Sequence, residues 1–264
     1  MSIFVCPKCK TPLYDEGNSL FCQNRHCFDK SKYKYVNLLL QNGKQNHGDN
    51  KLMIRSRKSF LDKGYYDHLR TALCDAVCRY LPFGTVLDAG CGEGYYLDGL
   101  FNTEFDLYGI DISKDALIYA SKRRTKIQAA VASVYSMPVA DKSCDGVLSV
   151  FSPFAREEFL RVLKDGGYLF SAIPNRLHLI DLKRAVYETP YENEVADFFV
   201  EGFELVENIP VEKVIHLECN EDIMNLMSMT PYFYRTSARD IEKLAALPSL
   251  DTLTQFNILV YKKK

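Results

Sequence analysis

The run Val86-Leu87-Asp88-Ala89-Gly90-Cys91-Gly92-Glu93-Gly94 leads an apolar strand into a turn with a glycine at every second position. Glycines so placed permit a tight turn and let backbone N–H groups approach a ligand at the start of the following helix. A strand is expected over residues 85–89, the turn over 90–94 and a helix over 95–101. The D-x-G-x-G-x-G register departs from the dinucleotide pattern G-x-G-x-x-G, and no P-loop lysine follows it. Asp111 lies 21 residues after Gly90, at the end of a second expected strand, 107–110. A carboxylate there can accept hydrogen bonds from both hydroxyls of a ribose.

The rest of the chain continues the alternation. Ser113 can cap a helix over 114–124. Strands are expected at 146–151 and 167–173, the latter after a helix at 156–163 and a Lys-Asp-Gly-Gly turn. Two later strands, 211–217 and 252–260, flank a helical stretch at 221–227. Upstream, Leu69, Leu73, Ala76, Val77 and Tyr80 recur at helical spacing, Gly64 divides the segment into two helices, and Pro82 with Gly84 ends the second. Cys74 and Cys78, one helical turn apart, are expected in the core. This pattern predicts an α/β fold with a doubly wound sheet.

Four of the nine cysteines crowd near the N-terminus. The spacing Cys6-x2-Cys9-x12-Cys22-x3-His26 sets two knuckles around a hairpin, with Cys27 as a rival to His26. Four soft or borderline ligands leave no open position, so a zinc ion held there is structural. Residues 1–40 read as a ribbon-like zinc-binding module ending in a strand at 33–40, residues 41–84 as a polar linker (41–50) and helices, and residues 85–264 as the main domain. The two cores are expected to be separate.

At 264 residues, 47% hydrophobic and 25% charged, the chain can bury one large core with an appendage. Its apolar runs, such as 147–150, fall far short of the ~18 residues a membrane span requires. A secretory signal is not expected where Cys6, Lys8 and Cys9 stand, so a cytoplasmic protein is expected. The net charge of −1 conceals an asymmetry: residues 1–70 hold 13 Lys/Arg against 6 Asp/Glu, and the remainder 20 against 28. A basic first quarter, including Lys8, Lys10, Arg25, Lys30, Lys32, Arg55, Arg57 and Lys58, suits a polyanionic partner.

The glycine motif resembles the first motif of Rossmann-like class I methyltransferases, whose sheet is mostly parallel with an antiparallel last strand. The whole chain resembles the bacterial 23S ribosomal RNA (guanine-N1) methyltransferases of the RlmA/RrmA type, some of which confer macrolide resistance. The likeness is carried by the two knuckles, Tyr35-Val36-Asn37-Leu38-Leu39, Gly48-Asp49, Arg57-Lys58-x-Phe60-Leu61, Gly64-x-Tyr66, the 88–96 run, Lys164-x-Gly166-Gly167, His178-Leu179 and Met229-Thr230-Pro231. It implies one zinc on Cys6, Cys9, Cys22 and His26, and S-adenosylmethionine contacted by Tyr66, Gly92, Glu93 and His178. With the residues read above, the expected cofactor set is Tyr66, Asp88, Gly90, Gly92, Glu93, Asp111 and His178. Asp88 is expected to orient the glycine loop, Ala132-Ser133 to cradle adenine, and Asp141-x-Ser143-x-Asp145 to lead into the fourth strand or form a solvated turn.

The implied substrate is a guanine in a hairpin loop of 23S rRNA, where N1 is unpaired or cheaply exposed. N1 carries a proton, so a general base or a contact to O6 is expected. The segment 149–154 should line the pocket by fold position, yet it contains no carboxylate or histidine. Neither DNA nor a membrane is expected as a partner. The general base, the modified guanine and a homodimer are left open. Two other readings remain: a small-molecule methyltransferase with a purely structural zinc module, and a ribosome-associated cofactor-binding protein without turnover.

Overall fold

The structure, a computed structural model, describes residues 2–40, 50–101, 103–195 and 197–264. The expected linker, apart from Asn50, and Gly48-Asp49 lie outside the described residues. Strands β1 (Leu13–Glu16), β2 (Ser19–Cys22) and β3 (Cys27–Asp29) form a small antiparallel sheet. The short β4 (Val36–Asn37) follows, then helices α1 (Lys51–Asp62) and α2 (Asp67–Tyr80). Asn50 caps α1 by accepting the Met53 N–H. Gly64, at φ +82°, makes the break between the helices, in the left-handed region that glycine tolerates.

The main sheet is then laid down by β5 (Gly84–Ala89), β6 (Phe105–Asp111), α3 (Lys114–Ala120), β7 (Gln128–Val131), β8 (Cys144–Val150), α4 (Arg156–Val162) and β9 (Leu163–Pro174). It is completed by α5 (Ile180–Val186), β10 (Phe203–Leu217), α6 (Asn220–Ser228), α7 (Ala238–Ala245) and β11 (Leu250–Lys263). The strand order is β10-β11-β9-β8-β5-β6-β7-β4. Strands β4 to β9 pair in parallel, and β11 runs antiparallel to both neighbours, as expected of the last strand. The chain winds outward from β5 through β6 and β7, then returns to β8 on the other side. Between β5 and β8 the strand order reverses, and ligands of open α/β sheets bind at such a point, beyond the carboxyl ends of the strands.

The module and the main domain do not have separate cores. Ile3, Phe4, Leu13 and Leu20 belong to one hydrophobic cluster with Leu87, Tyr108, Val139 and Val147. Phe4 meets the Tyr108 ring edge-on at 5.4 Å, and Val5 N–H donates to Pro138 O. Of the strand expected at 33–40, only Val36 and Asn37 pair, and they do so in parallel with β7. A module this small buries its apolar side chains only by leaning on the larger sheet.

Smaller differences have local causes. Residues 95–101 form only a 3-10 turn, Leu97–Leu100, where Gly99 packs so closely on α2 that a Cβ would stand 2.6 Å from Cys74 Sγ. The helix expected to reach residue 124 ends at Ala120, and the Lys-Asp-Gly-Gly turn is a bulge inside β9 with Gly166 at φ +74°. Cys74 is half-buried, but Cys78 faces solvent instead of the core.

Candidate cofactor cavity and metal centre

Cys6 and Cys9 flank the turn before β1, Cys22 ends β2, and His26 stands just before β3. Their ligand atoms all lie within 4.8 Å of one another. His26 Nδ1 is 3.4 Å from both Cys6 Sγ and Cys22 Sγ, and Cys9 Sγ is 3.6 Å from Cys22 Sγ. With Zn–S near 2.3 Å and Zn–N near 2.0–2.1 Å, a tetrahedral site has edges of roughly 3.5–3.8 Å, so the donor set fits zinc. Cys27 is exposed and its thiol faces Asp29 instead. The fourth ligand is therefore His26.

A cavity of about 450 Å³ opens at the carboxyl ends of β8, β5, β6 and β7. Tyr66, Gly90, Gly92, Glu93 and Asp111 line it, as do Ala132 and Ser133. Asp111 ties two turns together: its carboxylate accepts the Gly92 N–H at 2.9 Å and the Ser113 N–H at 2.7 Å. Gly90 is required on two counts. Its φ is +96°, and a Cβ would lie 2.6 Å from the Ser152 Cβ. The N–H groups of Gly90 and Cys91 donate to Ile110 O and that of Gly94 to Cys91 O, so the turn is held shut from within, while the Asp111 carboxylate at the cavity wall keeps lone pairs with which to accept from the hydroxyls of a nucleoside.

Asp88 and His178 stand outside the cavity wall. Asp88 is buried, and neither carboxylate oxygen has a hydrogen-bond partner among the described residues, so among these it does not orient the glycine loop through a bond of its own. Burial, reinforced by the nearby charges of Asp111 and Glu93, pushes its carboxyl up to about 8. An orphaned buried carboxylate behind the glycine turn is consistent with a cationic group bound in front of it. His178 is buried against Phe256, with ring centroids 4.5 Å apart, and lies edge-on to Tyr66 at 6.3 Å. Burial, together with the positive charges of Lys183 and His68, holds it down to about 3, so the ring is neutral. Its Nδ1 accepts the Gln255 N–H, which leaves the proton on Nε2. His178 thus reaches the cavity through Tyr66.

Arg57 is the cavity residue that reading for charge misplaced. Expected among the RNA-facing cations, it lines the cavity and donates to the buried Glu93 at 2.9 Å. Helical spacing held the signal, because Arg57 shares a face of α1 with buried Ile54 and Leu61. Lys58 pairs with Asp62, and Lys30 with Asp15. Lys8, Lys10, Arg25, Lys32 and Arg55 are exposed. In the 141–145 turn, Asp145 accepts the Thr85 N–H and pairs with Lys164, fixing the start of β5.

The chain matches the "Methyltransferase domain" family over residues 87–171 and the zinc-ribbon family "RlmA, N-terminal" over residues 4–46. YxjB of Bacillus subtilis (strain 168), provisionally named a 23S rRNA (guanine-N(1)-)-methyltransferase, is 33% identical over 99% of this chain and 98% of its own length. The 23S rRNA (guanine(748)-N(1))-methyltransferase of Streptomyces fradiae is 28% identical over 94% of this chain and 92% of its own. Among solved structures, a chain of the Haloferax volcanii complex between the Trm112 methyltransferase activator and its methyltransferase superposes with a TM-score of 0.50 at 18% identity. It covers 82% of this chain and 99% of that one, and supports the fold alone.

Proposed function

The chain belongs to the 23S rRNA (guanine-N1) methyltransferases, and on that premise we propose that it methylates N1 of a guanine in a hairpin loop of 23S rRNA. The observation that carries this is end-to-end kinship with proteins so named, in a chain that joins a four-ligand zinc site to a cofactor cavity. When bound, S-adenosylmethionine supplies the electrophilic methyl group on its sulfonium. In this reading Asp111 holds the ribose, Gly90, Gly92 and Tyr66 enclose the cofactor, and Glu93 is held in place by Arg57. Asp88 compensates positive charge from behind the turn, and His178 backs the Tyr66 ring.

Asp111, Ala132 and Ser133 would hold the nucleoside of the cofactor and the glycine turn its amino-acid tail, which would leave the end of β8 for the acceptor base. Val150, Phe151, Ser152 and Pro153 line the cavity there, none of them a carboxylate or histidine. The end of β8 therefore supplies no side chain to take the N1 proton, and its contribution is alignment of N1 with the methyl group. RNA is gripped by the exposed cations of the first quarter, which an acidic catalytic body needs to overcome repulsion. The reaction belongs in the cytoplasm, with the ribosome; no helix of the described residues is long and apolar enough to cross a membrane.

Transfer of labelled methyl to a 23S rRNA transcript, followed by nucleoside analysis, tests the assignment. Label in 1-methylguanosine is expected. Label in another nucleoside, or transfer only to small molecules, overturns it.

A further inference from the structure

Phe151 follows β8 with φ +51°, in the left-handed region where a bulky side chain is rarely found. The residues around it fix that conformation. Its N–H donates to Ala172 O, so the strand ladder holds it from one side. On the other side Ser152 abuts Gly90, and its hydroxyl lies 3.1 Å from that of Ser149. The residue is nevertheless 47% exposed, although it lines the cavity. It has two aromatic neighbours at ordinary pairing distances, Tyr96 at 6.3 Å and Phe256 at 5.6 Å between centroids. Those contacts cover only part of the side chain, and packing leaves the half-exposed remainder, held in the cavity wall on a strained backbone, without a partner of its own among the described residues.

Position supplies the reason. The glycine turn after β5, Asp111 after β6 and Ala132 after β7 account for the cofactor, and Phe151 is the aromatic residue that β8 carries into the same cavity. We propose that Phe151 is the platform on which the unpaired guanine stacks, holding N1 toward the methyl group. Stacking on an aromatic face is a general means of holding a splayed base. The left-handed backbone at 151 falls just past the end of β8, where the residue lines the cavity.

The proposal rests on the RNA-methylation reading, and the test separates the two. Phe151→Leu keeps apolar bulk but loses the flat face, Phe151→Gly relaxes the backbone, and Phe151→Trp widens the face. Because the chain has no tryptophan, the last variant also carries a single fluorophore that stacked guanine quenches. Single-turnover transfer to a 23S rRNA transcript is expected to fall at least a hundredfold in the Leu and Gly variants. Phe151→Trp should stay within about fivefold of the parent, and S-adenosylmethionine affinity by calorimetry should stay within about threefold throughout. With S-adenosylhomocysteine present, guanosine monophosphate should quench Phe151→Trp at concentrations at which uridine monophosphate does not. Full activity in Phe151→Leu, or loss of cofactor affinity in parallel with transfer, overturns the proposal. If the parent methylates no RNA, the functional reading fails, and equal quenching by the two nucleotides sinks the stacking role separately.

Discussion

Arg57 of α1 and Glu93 of the glycine turn form an ion pair of 2.9 Å whose acid retains only 3% side-chain exposure, against 23% for the arginine. The pair ties the helix that precedes the catalytic sheet to the loop that receives the cofactor. Arg123 extends the link, donating to Glu93 O at 3.0 Å and to Asp62 at 2.7 Å. Arg57→Ala leaves a buried carboxylate without this partner. The expected cost is about 2 kcal/mol of stability, less than that of a fully buried pair because the arginine keeps some contact with water. S-Adenosylmethionine affinity should fall at least tenfold, as read by calorimetry, while RNA affinity is retained. Adding Glu93→Gln should recover much of the stability without the affinity.

Asp88 predicts a pH dependence. Folding raises its carboxyl from 3.8 to about 8. The folded protein therefore keeps a proton that the unfolded chain releases. Stability of the cofactor-free protein should decline as pH rises from about 4 to about 8 and level off above that. A cationic cofactor tail favours the ionised form, so binding should release a proton at neutral pH and tighten with pH up to about 8. Calorimetry in two buffers of different ionisation enthalpy measures that proton. Asp88→Asn should abolish the release and flatten the stability profile; a release unchanged in the variant would assign the proton elsewhere.

Zinc loss should be felt by the whole chain. Because the module shares a cluster with Leu87 and Val147 of the main sheet, Cys22→Ser or chelation should lower one cooperative melting transition and weaken cofactor binding with it. Two independent transitions, the upper one unmoved, would mean that the shared core contributes little.

The RNA-facing cations are best tested away from the cofactor site. Lys8, Lys32 and Arg55 are exposed and take part in no ion pair among the described residues. Replacing the three by Ala should weaken RNA binding and flatten the logarithmic salt dependence by about 2, at roughly 0.7 per phosphate contact on single-stranded RNA. Cofactor affinity should not move. An unchanged slope would assign the grip to other residues.

The parts of this molecule legible in its sequence are those with short-range signatures. Glycines at positions 90, 92 and 94 and the aspartate at 111 mark a turn and a strand end whose chemistry is local, and the knuckle spacing likewise marks the metal centre. Residues whose roles come from distant partners were harder to read. Arg57 looked like one of several surface cations until α1 was seen against Glu93, 36 residues away. Strand β10 extends back to Phe203 because β11 pairs along its whole length, yet Pro210 and frequent charges disguise it, as suits an edge strand. Helices α5 and α7 are only 7 and 8 residues long, too short for periodicity to stand out. The isolation expected of the zinc module failed because the apolar residues at 3, 4 and 13 do not reveal which surface they cover.

Reverse transcription of 23S rRNA from cells with and without this chain tests guanine-N1 transfer most directly, because a methyl on N1 blocks Watson–Crick pairing. A protein-dependent stop at one guanine of a hairpin loop is expected, lost in Asp111→Ala and restored by the parent sequence. Identical stop patterns with and without the chain, alongside intact cofactor binding, would contradict it.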